Sequence, residues 1–394
     1  LHFFADGFNG GSNVQAISWL GSGTDILLED LRIENYAGGI SIQGTTVGIS
    51  TGRPNNIVIR RCIVSDTYSN TDHAGGMFAN YCDNLVVEEC IFDKNGYKDD
   101  VAPATIFNHG FYLSVGNTNV VFRRNIVIDS ASHGVQLRCG GVIQDNLFIR
   151  NAISILLGGG DPIVPGGATG EVIGNVILEG KDITTSAPRG YGIDLKNLRS
   201  AIVRDNIIAN KRTTMPAFAI GVSVSGGPDG FGVHDTDISN NVVYRWNGPI
   251  YFKALTLPAT YAGVVVRSNT VIDSNPLSVT PLASSIPIDE AQVRFTSNRY
   301  WSAGGDATWF RAGNQLMGYS QWTSLMNEPD AIRQNQEFVA PDRSLATFAA
   351  SIGLAETHEA ATAALKTQSR RSWNPQLSID SLLTYFREGF TPRP

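Results

Sequence analysis

Charge is scarce in this chain. Only 17% of its 394 residues are Asp, Glu, Lys or Arg, and the net charge is −6. That balance lacks the basic footprint of a general nucleic-acid binder, so no nucleic-acid partner is expected. It still admits an anionic ligand, because a local basic groove can sit on an acidic protein. Cysteine is rarer still. Cys62, Cys82, Cys90 and Cys139 are too few and too unevenly spaced for a disulfide scaffold or a zinc signature. No apolar run reaches the roughly 18 residues that a membrane span needs. The chain opens on Leu1 rather than Met, which leads us to expect a processed or truncated start. A secreted or periplasmic location is expected, with the signal peptide not visible in this chain.

What is abundant is glycine, at 41 residues, together with Asn, Val and Ile. That mix suits short strands joined by many turns. A pattern recurs down the chain: an apolar strand, a polar pair, Asn, then a second apolar strand. It is read around Asn125, Asn146, Asn175, Asn206, Asn241, Asn269 and Asn298. Upstream, Cys62 and Cys90 stand at the same place, and Leu31 does so before them. The spacings run from 21 residues (125 to 146) to 35 (90 to 125). A constant element with variable inserts is what a solenoid coil with adjustable loops predicts. A propeller blade needs four antiparallel strands and about 40 residues, which most intervals lack. Coils stack at about 4.8 Å, so equivalent residues become vertical neighbours. An Asn in a bend can then pass hydrogen bonds from coil to coil. Cys62 and Cys90 read most simply as small buried thiols in that column.

The expected architecture is all-β: a right-handed parallel β-helix of about ten coils over residues 21–301. Residues 1–20 form an N-terminal segment, expected to be too short for a full cap. Residues 302–394 form a loop-and-helix appendage expected to cover the C-terminal end. Within it, 343–370 is rich in Ala and Leu, and 376–389 is a short amphipathic run.

A second strand precedes the Asn strand in each coil: 38–43, 75–80, 109–114, 133–138, 192–197, 221–226 and 249–254. Side chains alternate in and out along a strand. Ile193 and Leu195 then point in, and Asp194 and Lys196 point out. Alignment places Tyr112, Gln136, Ser223 and Tyr251 in one outward column. Asn80, Ser114, Arg138, Lys196, Ser225 and Lys253 form the next. His109 and His133 start their strands at equivalent places, one coil apart. The long loop 94–108 can form a cleft wall.

The repeat and its Asn column resemble the pectate-lyase-like superfamily of right-handed parallel β-helices over about residues 20–310. Residues 319–331 and 372–390 resemble tails of bacterial carbohydrate-active β-helix proteins. The resemblance implies an acidic polysaccharide bound along the outward parallel sheet. β-Elimination of an alginate- or pectate-like uronate polymer explains the mixed face best. Such a lyase needs a base for the proton beside the carboxylate, a group to hold the developing charge, and an acid for the leaving oxygen. His109 or His133 can serve as base and Tyr112 as acid or base. Arg138, Gln136 and Asn80 can hold the carboxylate. Asp194, Lys196, Tyr251 and Lys253 extend the binding floor. Each has a plainer reading: a satisfied structural His, a solvating Arg, a sugar-stacking Tyr, a surface Asp194–Lys196 pair. The Asp99–Asp100 loop reads as solvated, with calcium as its sharper reading. No strong metal motif is present, and no cofactor is assigned beyond that.

Three other functions fit the same fold. A glycoside hydrolase needs two carboxylates about 5–9.5 Å apart. Asp194 is the only acid the alignment puts on the sheet, with Asp72, Asp83 and Asp161 in flanking turns. A polyuronate epimerase shares the proton abstraction. A non-catalytic carbohydrate-binding solenoid needs no titratable cluster, since fold alone does not establish catalysis.

Overall fold

A computed structural model describes all residues except 12, 46–51, 161, 213–216, 225–230, 247, 255–260, 274–291, 304 and 313–314. The chain winds as a right-handed parallel β-helix. Each coil gives one strand to each of three parallel sheets. The first coil shows the order: a short strand His2–Phe4, then Gln15–Leu20, then Gly23–Glu29. The next coil lays Arg32–Glu34, Gly38–Gln43 and Pro54–Arg60 on these three, in parallel register. Strands are therefore already present within residues 1–20, ahead of the expected start at residue 21.

The short-strand sheet starts with His2–Phe4, the cleft sheet with Gln15–Leu20, and the flanking sheet with Gly23–Glu29. The cleft sheet has nine strands among the described residues. At about 4.8 Å per strand its face is roughly 40 Å long. Alternation builds the core. Ile40, Met77, Phe111, Val135, Ile155 and Ile193 stack in register and are buried.

The Asn column runs inside the turn between the flanking and short-strand sheets. Asn146 Nδ2 donates to Asn175 Oδ1 at 2.9 Å, and Asn175 Nδ2 donates to Asn206 Oδ1 at 3.0 Å. The series continues through Asn241 and Asn269 to Asn298. Every one of these side chains also donates to a backbone carbonyl of the coil on its N-terminal side, such as Ile143 for Asn175. The ladder ends on Glu328, a buried carboxylate that accepts from Asn298 N and Nδ2. Cys62 and Cys90 hold the ladder's other end as free thiols. Cys62 N donates to Cys90 Sγ at 3.4 Å, and Cys90 N to Asn125 Oδ1 at 3.0 Å.

The appendage does not simply cover the end. Its first part does: Trp309, Phe310, Met317, Trp322 and Met326 join the core, and Trp322 stacks on Phe310 with ring centroids 4.8 Å apart. Trp322 belongs to helix α1 (Tyr319–Leu325). The rest lies along the side of the solenoid. Helices α2 (Leu345–Ser351), α3 (His358–Leu365) and α4 (Ile379–Gly389) cover the outer face of the short-strand sheet. Short strands such as Ile126–Ile128 and Leu147–Ile149 turn two side chains outward each, and these form an apolar stripe. Leu345, Phe348, Leu365, Leu382 and Phe386 fill it. Among the described residues no helix is long and apolar enough to cross a membrane.

Candidate functional site

A cleft of about 450 Å³ opens on the outer face of the cleft sheet. It runs along the solenoid axis from Gln15 through Ser41 and Phe78 to His109, Tyr112 and Arg138. Those residues belong to five successive coils, so the cleft is elongated across the strands. Phe107, from the long loop 94–108, forms part of one wall, as expected.

Two imidazoles meet at its floor. His109 begins strand His109–Leu113 and His133 begins His133–Leu137, which pair in parallel with Phe111 opposite Val135. The register brings Nδ1 of His109 to 3.1 Å from Nδ1 of His133, with ring centroids 4.9 Å apart. Ser132 Oγ lies 2.9 Å from His109 Nδ1 and 3.3 Å from His133 Nδ1. That hydroxyl donates to the Asn108 carbonyl at 2.5 Å. Its oxygen therefore accepts from an imidazole, and the shorter contact assigns the N–H to His109 Nδ1. Nε2 of His109 then carries the ring's lone pair, and His133 Nδ1 accepts. Both rings are kept neutral. Burial, then the charge of Arg138 and the nearby His73, pulls His109 down to about 3. Burial, then His109 and the cations Lys196, Arg138 and Arg189, holds His133 well below the ordinary imidazole value.

Tyr112 and Arg138 complete the cluster. The Tyr112 ring lies 5.3 Å from His109 and 5.3 Å from Phe78, centroid to centroid. The Arg138 guanidinium carbon stands 5.3 Å over the Tyr112 ring. The sequence alignment missed His73, whose ring packs edge-on to Phe107 at 5.8 Å and whose Nδ1 is 3.2 Å from the Phe107 carbonyl. It missed Ser132 as well. The signal was present: both residues sit just before a Gly-containing strand start, at 73 ahead of Gly75 and at 132 ahead of His133.

The other expected positions are less uniform. His133 is 6% exposed and Gln136 4%, so neither presents an open side chain to the cleft. Gln136 Oε1 is buried with no hydrogen-bond partner. Asn80 accepts from Tyr81 N at 3.1 Å and lies outside the cleft lining. Asp194 is buried and holds Lys196 Nζ at 2.7 Å. Tyr251 lies farther along the sheet in a ring stack, 5.8 Å from Phe218, which is 3.9 Å from Tyr191. Lys253 pairs through its backbone with Ser223; its side chain and Ser225 lie outside the described residues, as does Asp161.

One coil of the alignment is corrected. Gly221, not Ser223, faces Asp194 and Tyr251, and Ser223 faces Lys196 and Lys253. The slip is two residues, which keeps every side chain on its proper face, and so alternation cannot detect it. A whole strand, Ile153–Gly158, was also left out; it lies between those of His133 and Asp194. Asp99 of the proposed calcium loop is held by Lys94 at 2.6 Å. Among the described residues no cluster of three His, Cys, Asp or Glu side chains could hold a metal ion.

The family model of the right handed beta helix region matches residues 11–167, which include every coil of the cleft. That fold is shared by lyases, hydrolases and epimerases of polysaccharides. Comparisons with curated proteins and with solved structures gave no match.

Proposed function

We propose that the chain is a secreted lyase that cleaves a uronic-acid-containing polysaccharide by β-elimination. The observation that carries this reading is the neutral His109–His133 pair beside Tyr112 and Arg138 in an elongated cleft. His109 Nε2 takes the proton on the carbon next to the uronate carboxylate. Arg138 holds that carboxylate while negative charge builds on it. The electron pair forms the ring double bond, the glycosidic C–O bond breaks, and Tyr112 gives its phenolic proton to the departing oxygen. A base whose conjugate acid stands near 3 is weak by itself. A bound carboxylate supports it by offsetting the Arg138 charge that helps hold it down.

The hydrolase alternative needs two carboxylates flanking one bond. Among the described lining residues Asp72 is the only acid. Asp194 is buried and ion-paired three strands from the His109 strand. The test is absorbance of the unsaturated uronate product over a panel of acidic polysaccharides. A rise with the native chain, lost in His109→Ala, supports the lyase. Reducing ends without absorbance indicate hydrolysis. A changed sugar composition without cleavage indicates epimerisation, and neither change indicates a binder.

A further inference from the structure

The cleft has two unlike ends. At one end it begins on the first coil, where Asn13 and Gln15 line it and are exposed. At the other it stops at Arg138, on the fifth. The sheet itself does not stop there. Val135 and Leu137 pair with Ile155 and Leu157 of the strand Ile153–Gly158, and that strand pairs in turn with Tyr191–Lys196. Alternation turns Leu156 and then Asp194 to the same outer face as Tyr112. Both are buried nonetheless, and so is Ile153, which follows His133 in its row. The floor past Arg138 is covered, whereas the floor before it is open.

Arg138 forms the stop. Its side chain leans onto the following coil, where a Cβ at Gly159 would come within 3.1 Å of its Cγ. Its guanidinium carbon reaches back to 5.3 Å over the Tyr112 ring. Farther on, Arg189 stands 5.9 Å over Tyr191, which follows His133 and Ile153 in one row. Besides burial and His109, the charges of Lys196, Arg138 and Arg189 bear on His133. These three cations therefore gather where the cleft ends.

From this we infer that the protein acts exolytically: it takes one end of its polymer against this stop and releases short units from that end. The inference deepens the polysaccharide-lyase reading of the same cleft and rests on it for the position of the reacting bond. The proposed reacting groups His109, Tyr112 and Arg138 all stand beside the stop. Three strands of open floor lie before them, Gln15–Leu20, Gly38–Gln43 and Gly75–Asn80. At about 4.8 Å per strand they supply roughly 15 Å on one side of that bond. An enzyme that cuts inside a polymer needs floor on both sides, because the chain continues in both directions. A chain carried on past Arg138 would have to climb off the sheet and give up its contacts there. A chain that ends at Arg138 gives up none. The open side offers Phe78 and the exposed Phe107 as surfaces for sugar rings of the chain body.

Product size tests this, and product mass tests the lyase reading separately. On whichever acidic polymer is degraded, size-exclusion profiles early in the reaction should show mono- or disaccharides beside nearly full-length chains, with viscosity falling slowly. Early oligosaccharides of intermediate length, with a rapid loss of viscosity, overturn the inference. The mass of the small product decides between elimination and hydrolysis, since an eliminated unit is one water lighter, and it leaves the size result untouched. A second measurement needs no turnover. Binding of an acidic hexasaccharide to His109→Ala is compared with that of the same hexasaccharide carrying a bulky aromatic tag on one end or the other. A tag on one end should weaken binding at least about tenfold while a tag on the other end has little effect. Binding that neither tag weakens overturns the inference.

Discussion

Nδ1 of His109 stands 3.1 Å from Nδ1 of His133. The two residues are equivalent by position and different in role. His109 lines the cleft, and His133 sits beneath it, 6% exposed. Replacing His109 by Ala should lower kcat by about 10²–10⁴, the span of a lost general base. Replacing His133 by Asn keeps an acceptor near His109 Nδ1 and should cost far less. Steady-state kinetics with both variants separates the base from the residue that positions it.

The same pair makes a pH prediction with a definite sign. The folded His109 binds its proton only near pH 3, while the unfolded imidazole binds near the ordinary 6.5. Between those values the unfolded state holds more protons, so stability falls as pH drops from 6.5 toward 3. The melting temperature should decline over that window, and less steeply in His109→Gln, which has no proton to gain. Melting curves at pH 7, 5 and 4 on both proteins check it. An equal decline in the two would move the burden to other groups.

The Asn ladder predicts where the solenoid is most sensitive. Asn175→Ala leaves Asn146 N and Nδ2 without their acceptor, both inside the core. Two such losses should destabilise the fold by about 4 kcal/mol. At the ladder's end, Glu328→Ala should act similarly on Asn298, while Glu328→Gln keeps the acceptor and should cost less than about 1 kcal/mol. Burial raises the Glu328 carboxyl above its usual 4.5. The folded state thus keeps this proton after the unfolded chain has released it. Its stabilisation is full below pH 4.5 and fades as pH rises through the raised value. Glu328→Gln should remove that fade, as read by urea midpoints across the window.

The ladder was legible in the sequence because Asn at a fixed place in each coil has no other economical explanation. Register between distant coils was less legible. The segment 153–158, Ile-Ser-Ile-Leu-Leu-Gly, is apolar at nearly every position, so it carries no outward polar mark and escaped alignment as a cleft-sheet strand. The slip at Ser223 arose because a two-residue shift preserves alternation. Nor does alternation tell how deep an outward side chain lies: Gln136 and Asp194 face outward by pattern, yet both are buried. The appendage was read as helical, correctly at 345–351, 358–365 and 379–389. Its place along the side was hidden in strands like 126–128 and 147–149, whose three consecutive apolar residues imply a covered outer face.

That cover is fastened by charge as well as by apolar contact. Asp129 accepts from His358 Nε2 at 3.0 Å and pairs with Lys181 at 2.9 Å. Burial works against its carboxylate, but the His358 hydrogen bond and Lys181 outweigh burial and hold it at about 2. Its stabilisation is present above the usual 3.8 and is lost as pH falls through that value toward 2. Asp129→Asn should loosen α3 at neutral pH. Amide hydrogen exchange in 358–365 should accelerate, while 379–389 changes little, because α4 keeps the Arg124–Asp380 and Arg387–Asp145 pairs.

Tyr112 separates a proton carrier from a sugar platform. Its ring contacts Phe78, His109 and Arg138, and Phe preserves all three. If the phenol delivers the proton, Tyr112→Phe should leave KM and melting temperature unchanged and lower kcat by about 10²–10⁴. Tyr112→Ala should lower kcat to a similar level and raise KM as well, since the ring is then gone. A substrate with a better leaving group, such as an aryl glycoside of the uronate, needs little protonation of the departing oxygen. On that substrate the Phe variant should recover most of its activity while His109→Ala should not. Full activity of Tyr112→Phe on the natural polymer would reduce Tyr112 to a stacking surface and leave the departing oxygen without its donor.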